Sequence, residues 1–180
     1  NFDPNKDLKK IGVVNQTTML AEETKEITQF LENIMKKKYG DKYYKNHIAN
    51  TRDTLCYATN ENQLSTHEVA KINADLALIV GGYNSSNTSQ LVKICERRFP
   101  TFFISSEKKI ITKNNIIHYS IDKQKEIQTT NYLPKTKNIN IILGSGASCP
   151  DSVLERVLEK ICSFYNQKID KDKIINSYKK

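Results

Sequence analysis

Three times along the chain, a run of apolar residues ends in a cluster of small polar residues, and a segment with helical periodicity follows. The runs and their clusters are 11–14 with 15–18, 76–83 with 84–88, and 139–146 with 147–151. Short apolar runs bounded by turn signals are typical of buried strands. Strands that alternate with helices indicate a parallel sheet covered on both faces. The pattern therefore predicts an α/β fold made of parallel-sheet α/β/α domains.

The position of the polar clusters points to a ligand site. In an open parallel sheet the strands end at one edge, and ligands bind there. A helix that starts at that edge adds free N–H groups and the positive end of its dipole, which suit phosphate. Ser, Thr and Asn are also ordinary helix caps, so one cluster alone would be weak evidence. Three clusters, one of them richer in polar residues than capping requires, predict a pocket for a small phosphorylated ligand.

The charge balance narrows the class of partner. The net charge is +8, from 28 Lys+Arg against 20 Asp+Glu. The lysines stand in local runs with few arginines or aromatic residues between them, so a nucleic-acid-binding protein would rest on charge alone. No stretch approaches the ~20 apolar residues of a membrane helix. We predict no nucleic acid and no membrane as partner, whereas an acidic protein or an anionic substrate suits this surface.

The four cysteines carry no local metal signature. They are Cys56, Cys95, Cys149 and Cys162, and no two of them have CxxC spacing. This excludes a local zinc or thioredoxin-like motif, and four cysteines are too few for a disulfide scaffold of this length. Taken singly, each is most simply a buried structural thiol.

Periodicity and capping signals predict the order of the elements. The predicted strands are 10–15, 76–82, 101–105 and 139–144, and the predicted helices are 22–38, about 60–73, 87–98, 122–128 and 150–165. Residues 106–117 are interpreted as a surface insertion. Ser148 and Asp151 have the spacing of a capping box, with Pro150 in the first turn of the last helix.

Four motifs follow one another in a fixed order. They are Asn15-Gln16-Thr17-Thr18, Asp53-Thr54-Leu55-Cys56-Tyr57-Ala58-Thr59-Asn60, Asn84-Ser85-Ser86-Asn87-Thr88 and Ala147-Ser148-Cys149-Pro150-Asp151. Together they strongly resemble the 4-hydroxy-3-methylbut-2-enyl diphosphate reductases (the LytB/IspH family), the last enzymes of the non-mevalonate (MEP) isoprenoid pathway. The resemblance covers roughly residues 8 to 165.

The resemblance implies an architecture. Family members have three α/β domains in a trefoil around a central [4Fe–4S] cluster. Residues 8–52 would be the C-terminal part of the middle domain, 53–165 the third domain, and 166–180 a charged tail. Two of the three cluster cysteines and a catalytic His/Glu motif would lie upstream. The resemblance thus implies an N-terminal domain of the same protein as a partner, without which this chain does not catalyse.

The resemblance also assigns roles to residues. Cys56 matches the third cysteine ligand of the cluster. The residues that match diphosphate-binding positions are Ser85, Ser86, Asn87 and Ser148. Thr17 matches a threonine near the substrate hydroxyl and the proton-relay glutamate, with Thr18 as the adjacent alternative.

The implied reaction is the reductive dehydroxylation of 4-hydroxy-3-methylbut-2-enyl diphosphate to isopentenyl and dimethylallyl diphosphate. Electrons would come from ferredoxin or a similar carrier. The resemblance and the composition favour a plastid stroma of the apicoplast type, with a bacterial cytoplasm as the alternative. A second function stays open, in which a non-catalytic α/β domain binds phosphorylated metabolites and holds no cluster.

Overall fold

The computed structural model of the chain describes residues 1–49, 51, 56–136 and 138–165. The predicted domain boundary between 52 and 53, the motif residues 53–55 and the predicted tail 166–180 lie outside these residues. The chain divides into two compact units, 1–61 and 62–180. The helices are α1 (Pro4–Asp7), α2 (Ala21–Tyr39), α3 (Tyr57–Val69), α4 (Ser86–Glu96) and α5 (Asp151–Ser163). The strands are β1 (Leu76–Val80), β2 (Thr101–Ile104), β3 (Asn115–Ser120), β4 (Lys125–Thr130) and β5 (Ile141–Ser145).

The first unit is organised around α2. This helix carries two glutamates in its first turn and three lysines in its last, as the helix dipole favours. It ends at Gly40, whose φ of 77° lies in the left-handed region. Where a strand over 10–15 was predicted, the structure has a single parallel bridge between Ile11 and Ile48. The predicted strand is therefore wrong, because among the described residues this segment pairs with another at Ile11 alone.

The second unit contains a five-stranded mixed sheet in the order β4-β3-β2-β1-β5. β1 pairs in parallel with both β2 and β5. Alternate residues of β1 face opposite sides of the sheet. Leu76, Leu78 and Val80 join one apolar cluster with Val157 and Ile161 of α5. Ala77 and Ile79 join a second cluster with Leu91, Val92 and Cys95 of α4. One helix thus covers each face of β1, which makes the α/β/α layering that was predicted.

The other half of the sheet departs from the prediction. β3 and β4 form an antiparallel hairpin, so the sheet is mixed rather than parallel. The predicted helix over 122–128 is wrong because β4 occupies most of that range. The predicted surface insertion over 106–117 is wrong at its end, where β3 begins. Lys125, Glu126 and Gln128 favour helices weakly, but six paired positions along β3 outweigh that preference. Ile127 and Thr129 are the half-buried positions of β4, which is the period of two expected of a strand.

None of the helices in the described ranges is long and apolar enough to cross a bilayer.

Candidate functional site

Two of the three polar clusters meet at one edge of the sheet. The last residues of β1 and β5, Val80 and Ser145, are paired neighbours. Immediately after them, the Gly146 N–H donates to the Val80 carbonyl at 3.0 Å. The loops that follow these strands lead into α4 and α5, so clusters 84–88 and 147–151 leave adjacent strand ends. The cluster at 15–18 belongs to the first unit.

Ser85 is the N-cap residue of α4. Its backbone is extended, and its side chain accepts a hydrogen bond from the Thr88 N–H at 3.3 Å. Such a cap satisfies one of the N–H groups that a helix start leaves without partners. Ser86 and Asn87 occupy the first turn that follows. Their backbone positions put them where an anion is favoured by the helix dipole.

Asn87 is the unusual side chain of this turn. It is only 6% exposed, yet neither its amide nitrogen nor its amide oxygen has a hydrogen-bond partner among the described residues. A buried amide without partners costs free energy, in the range of about 1–3 kcal/mol for each lost group. Buried polar groups are nearly always paired with protein, water or a ligand, so the Asn87 amide has hydrogen-bonding capacity left for a partner that the described residues do not supply.

Ser148 is exposed and lies on the loop between β5 and α5. The predicted capping box is wrong, because α5 starts at Asp151 with Pro150 as its N-cap and has no side-chain cap bond. Proline in extended backbone already directs the chain into the helix. The Ser148 hydroxyl consequently makes no hydrogen bond to a described residue and is available to a ligand.

Thr88 holds the two strand ends against α4, a role that was not predicted from the sequence. Its side chain is completely buried and contacts the backbones of Gly81 and Gly146. A Cβ on Gly81 would lie 2.6 Å from the Thr88 Oγ1, and one on Gly146 would overlap that atom still further. Neither glycine has a positive φ, so close approach rather than backbone freedom explains both. The available signal was the three-residue spacing from the capping Ser85.

Replacing Gly146 with alanine should therefore lower the free energy of unfolding by about 2–3 kcal/mol, because the new methyl group overlaps the Thr88 side chain. Urea denaturation of the full chain measures the change. The matched control is Gly82→Ala, since a Cβ there meets only the Asn84 side chain, at 3.1 Å. The double variant with Thr88→Ala should recover part of the loss. Equal losses at Gly146 and Gly82 would refute the contact.

Tyr83 anchors the start of the polar loop. Its ring stacks on Tyr119 at 4.7 Å between centroids and meets the edge of Phe103 at 5.2 Å. Burial raises the pKa of its hydroxyl to about 12, with Ser105 and Glu126 close enough to influence it. The pKa of the Glu126 carboxyl is lowered by its hydrogen bond with Lys109. Tyr83 is thus neutral near pH 7 and ties the loop to the β3–β4 hairpin by ring contacts.

In the first unit, Thr17 and Cys56 are brought together. The Cys56 N–H donates to the Thr17 carbonyl at 3.2 Å. Cys56 stands immediately before α3, and its thiol takes the place of a capping side chain. Its sulfur lies 2.8 Å from the Thr59 Oγ1 and accepts from the Thr59 N–H at 3.3 Å. Thr17 is exposed and Thr18 half-buried.

These contacts lower the pKa of the Cys56 thiol. The hydrogen bond from the Thr59 side chain, and after it the one from the Thr59 backbone, hold the Cys56 pKa below its usual value. The thiol is also exposed. By contrast, burial raises the pKa of Cys95 to about 11 and also raises that of Cys149. An exposed thiol of lowered pKa at a helix start is the environment of metal-binding and reactive cysteines.

Thr59→Val should slow alkylation of Cys56 by iodoacetamide several-fold near pH 7. Loss of the Thr59 hydroxyl raises the Cys56 pKa toward its usual value, so a smaller fraction is thiolate at that pH. Peptide mass spectrometry of the full chain follows each cysteine separately. Thr28→Val is the control, because the Thr28 hydroxyl bonds the Thr24 carbonyl within α2, at 2.8 Å. Identical Cys56 rates in the two variants would contradict the assignment.

One thiol does not make a metal centre. Within the described ranges, no group of three or more His, Cys, Asp or Glu side chains could hold a metal ion. Cys95 is fully buried among the α4 residues that face the sheet. Cys149 packs against the cluster beneath α5. The structure thus agrees with a structural role for these two cysteines.

Comparison with known proteins decides the family. The family model described as LytB protein matches residues 2–162. The chain belongs to the LytB family. It is 43% identical over 166 residues to a protein of Microcystis aeruginosa named 4-hydroxy-3-methylbut-2-enyl diphosphate reductase, covering 91% of this chain and 40% of that protein. A protein of the same name from Trichormus variabilis is 42% identical over 163 residues, covering 89% of this chain and 39% of its own length.

A solved structure supports the fold of this LytB chain. The reductase titled E-1-hydroxy-2-methyl-but-2-enyl-4-diphosphate reductase from Plasmodium falciparum superposes with a TM-score of 0.61 at 23% identity. The match covers 100% of this chain and 52% of that one. The α/β class predicted from the sequence is confirmed by this likeness. The chain spans about 40% of the length of the curated relatives named above.

Proposed function

We propose that this chain supplies the diphosphate pocket and one cluster ligand of a 4-hydroxy-3-methylbut-2-enyl diphosphate reductase. The reaction is a two-electron, two-proton reductive dehydroxylation that releases water and gives isopentenyl and dimethylallyl diphosphate. The observation that carries the proposal is the buried, unpartnered Asn87 amide at the start of α4. Membership of the LytB family supports the choice of substrate.

The diphosphate is held by neutral donors rather than by a ring of cations. Ser85, Ser86 and Asn87 offer hydroxyl and amide hydrogens at the start of α4, and Ser148 offers a hydroxyl from the neighbouring strand end. The helix dipole adds to their attraction for negative oxygens. Hydrogen bonds to charged oxygens are short and strong, so four such donors position the ligand as well as bind it.

Cys56 is proposed as one thiolate ligand of a [4Fe–4S] cluster. The fit rests on its exposed sulfur, its lowered pKa and its place at a helix start. A thiolate is the form that iron–sulfur clusters require. When bound, the cluster supplies electrons and a Lewis-acidic iron to the substrate hydroxyl. The remaining ligands are proposed to come from an N-terminal domain of the same protein.

Thr17 is proposed to hydrogen-bond near the substrate hydroxyl, where it helps to position the group that leaves. The bond between the Thr17 carbonyl and the Cys56 N–H supports this, because it keeps residue 17 beside the proposed cluster ligand. Thr18 is the adjacent alternative. Single Thr17→Val and Thr18→Val variants distinguish them, since only the residue that faces the substrate should lose turnover.

We further propose ferredoxin or a similar small acidic carrier as electron donor, which the net charge of +8 favours. The proposed setting is a plastid stroma of the apicoplast type, and a bacterial cytoplasm is the alternative. Imaging of the tagged complete gene product in its own cells tests the location. Loss of reduction rate at raised salt tests the charged contact.

The decisive test is the iron and sulfide content of the complete gene product, purified without oxygen. About four irons per chain and a visible band bleached by dithionite would support the reductase. The competing function, a cluster-free domain that binds phosphorylated metabolites, is favoured by the absence of a three-ligand group among the described residues. A colourless, iron-free protein that binds pyrophosphate would establish that function instead.

A further inference from the structure

Thr88 is buried too deeply to touch a ligand. Its exposed fraction is 0%, and it lies at the third residue of α4, beneath the polar loop. Its influence on a bound diphosphate must therefore pass through another residue. That residue is Ser85, whose side-chain oxygen accepts hydrogen bonds from both the backbone N–H and the hydroxyl of Thr88.

Two hydrogen bonds define this contact. The Thr88 Oγ1 donates to the Ser85 Oγ at 2.9 Å, and the Thr88 N–H donates to the same oxygen at 3.3 Å. A serine hydroxyl has two lone pairs and one hydrogen. Both lone pairs of Ser85 are engaged by Thr88, so the hydroxyl hydrogen is the part of Ser85 left for another partner.

We propose that Thr88 is a positioning residue that fixes Ser85 as a hydrogen-bond donor to the ligand. This inference rests on the proposed diphosphate pocket. A deprotonated phosphate oxygen only accepts hydrogen bonds, so it matches a serine whose acceptor sites are already filled. The fold orients this hydroxyl before the ligand binds, so binding loses less conformational entropy.

Packing is the competing explanation for a buried threonine here. The Thr88 methyl group would lie 2.8 Å from a Cβ on Gly81, so it also fills space between the strand ends. The two roles depend on different atoms. Thr88→Val keeps the shape and removes the hydroxyl, whereas Thr88→Ser keeps the hydroxyl and removes the methyl group.

The test is calorimetric titration of the full chain with inorganic pyrophosphate, with the melting temperature of each variant measured alongside. Thr88→Val should weaken binding about five- to tenfold, as expected for one hydrogen bond to a charged group. Thr88→Ser should bind nearly as the wild type, even if its melting temperature falls. Thr66→Val is the matched control, because the Thr66 hydroxyl bonds the Asn62 carbonyl within α3 at 2.7 Å.

Failure of the inference and failure of the pocket give different results. If Ser85→Ala weakens binding but Thr88→Val binds as the wild type, the positioning role is overturned and the pocket stands. If Thr88→Ser loses as much affinity as Thr88→Val, packing accounts for the residue and the inference is again overturned. If the wild-type chain does not bind pyrophosphate, the pocket is refuted together with the inference.

Discussion

Replacing Cys56 with serine in the complete gene product should reduce the iron content and abolish turnover. Serine keeps the size of the side chain but offers a hydroxyl that is far less acidic than a thiol, so the proposed cluster loses a ligand. The expected loss of reductase activity is at least about a thousandfold, since both the electrons and the Lewis acid depend on the cluster. The measurement is iron and sulfide per chain, with the rate of substrate reduction.

The matched control is Cys162→Ser, in the last turn of α5. Cys162 is half-buried and belongs to none of the four motifs. This variant should keep its iron and its activity. A Cys56→Ser protein with full iron content and normal turnover would remove Cys56 from the ligand set, and the case for the reductase would then rest on family membership.

Simultaneous replacement of Ser85, Ser86 and Asn87 by alanine should weaken pyrophosphate binding by about a thousandfold. Each hydrogen bond to a charged oxygen contributes roughly 1.5–3 kcal/mol, so the lower figure for three donors corresponds to that factor. The Asn87 substitution also removes a buried amide that has no partner in the unliganded pocket, so it should not by itself destabilise the fold. Titration calorimetry on the full chain measures the affinity.

Loss of the Ser85 cap should cost about 1 kcal/mol of stability, and the melting temperature must therefore be measured beside the affinity. The control is a triple variant of the same composition, Ser65→Ala, Asn73→Ala and Ser163→Ala, at exposed positions outside the polar clusters that follow β1 and β5. It should bind as the wild type. An unchanged affinity in the Ser85, Ser86 and Asn87 variant would refute the pocket.

The elements that were predicted correctly share one property. β1, β2 and β5 are runs of apolar residues whose burial satisfies local and tertiary preferences together. α4 and α5 likewise carry an apolar side that meets the sheet. The hairpin of β3 and β4 was missed because Lys125, Glu126 and Gln128 are compatible with a helix until the partner strand is known.

In the candidate site, too, the residues could be named from the sequence, whereas their tertiary contacts could not. Ser85, Ser86, Asn87 and Ser148 were named from their motifs. The structure puts Ser85 and Ser148 on the loops that follow adjacent strands, and Ser86 and Asn87 in the first turn of α4. The depth of Asn87 and the contact of Thr88 with both glycines depend on how α4 sits over the strand ends, which no local pattern contains. The acidity of Cys56 likewise arises from Thr59, one turn along α3.

The close fit of Thr88 between Gly81 and Gly146 also limits how this protein can evolve. A lineage that acquires alanine at either glycine meets an unfavourable intermediate unless residue 88 has already become smaller. Changing residue 88 to alanine first removes the hydroxyl that donates to Ser85, whereas serine there keeps the oxygen that a Cβ on Gly146 would overlap. Alanine at any one of these three positions is therefore expected to be unfavourable by itself, so the effects of changes at the three positions should be coupled.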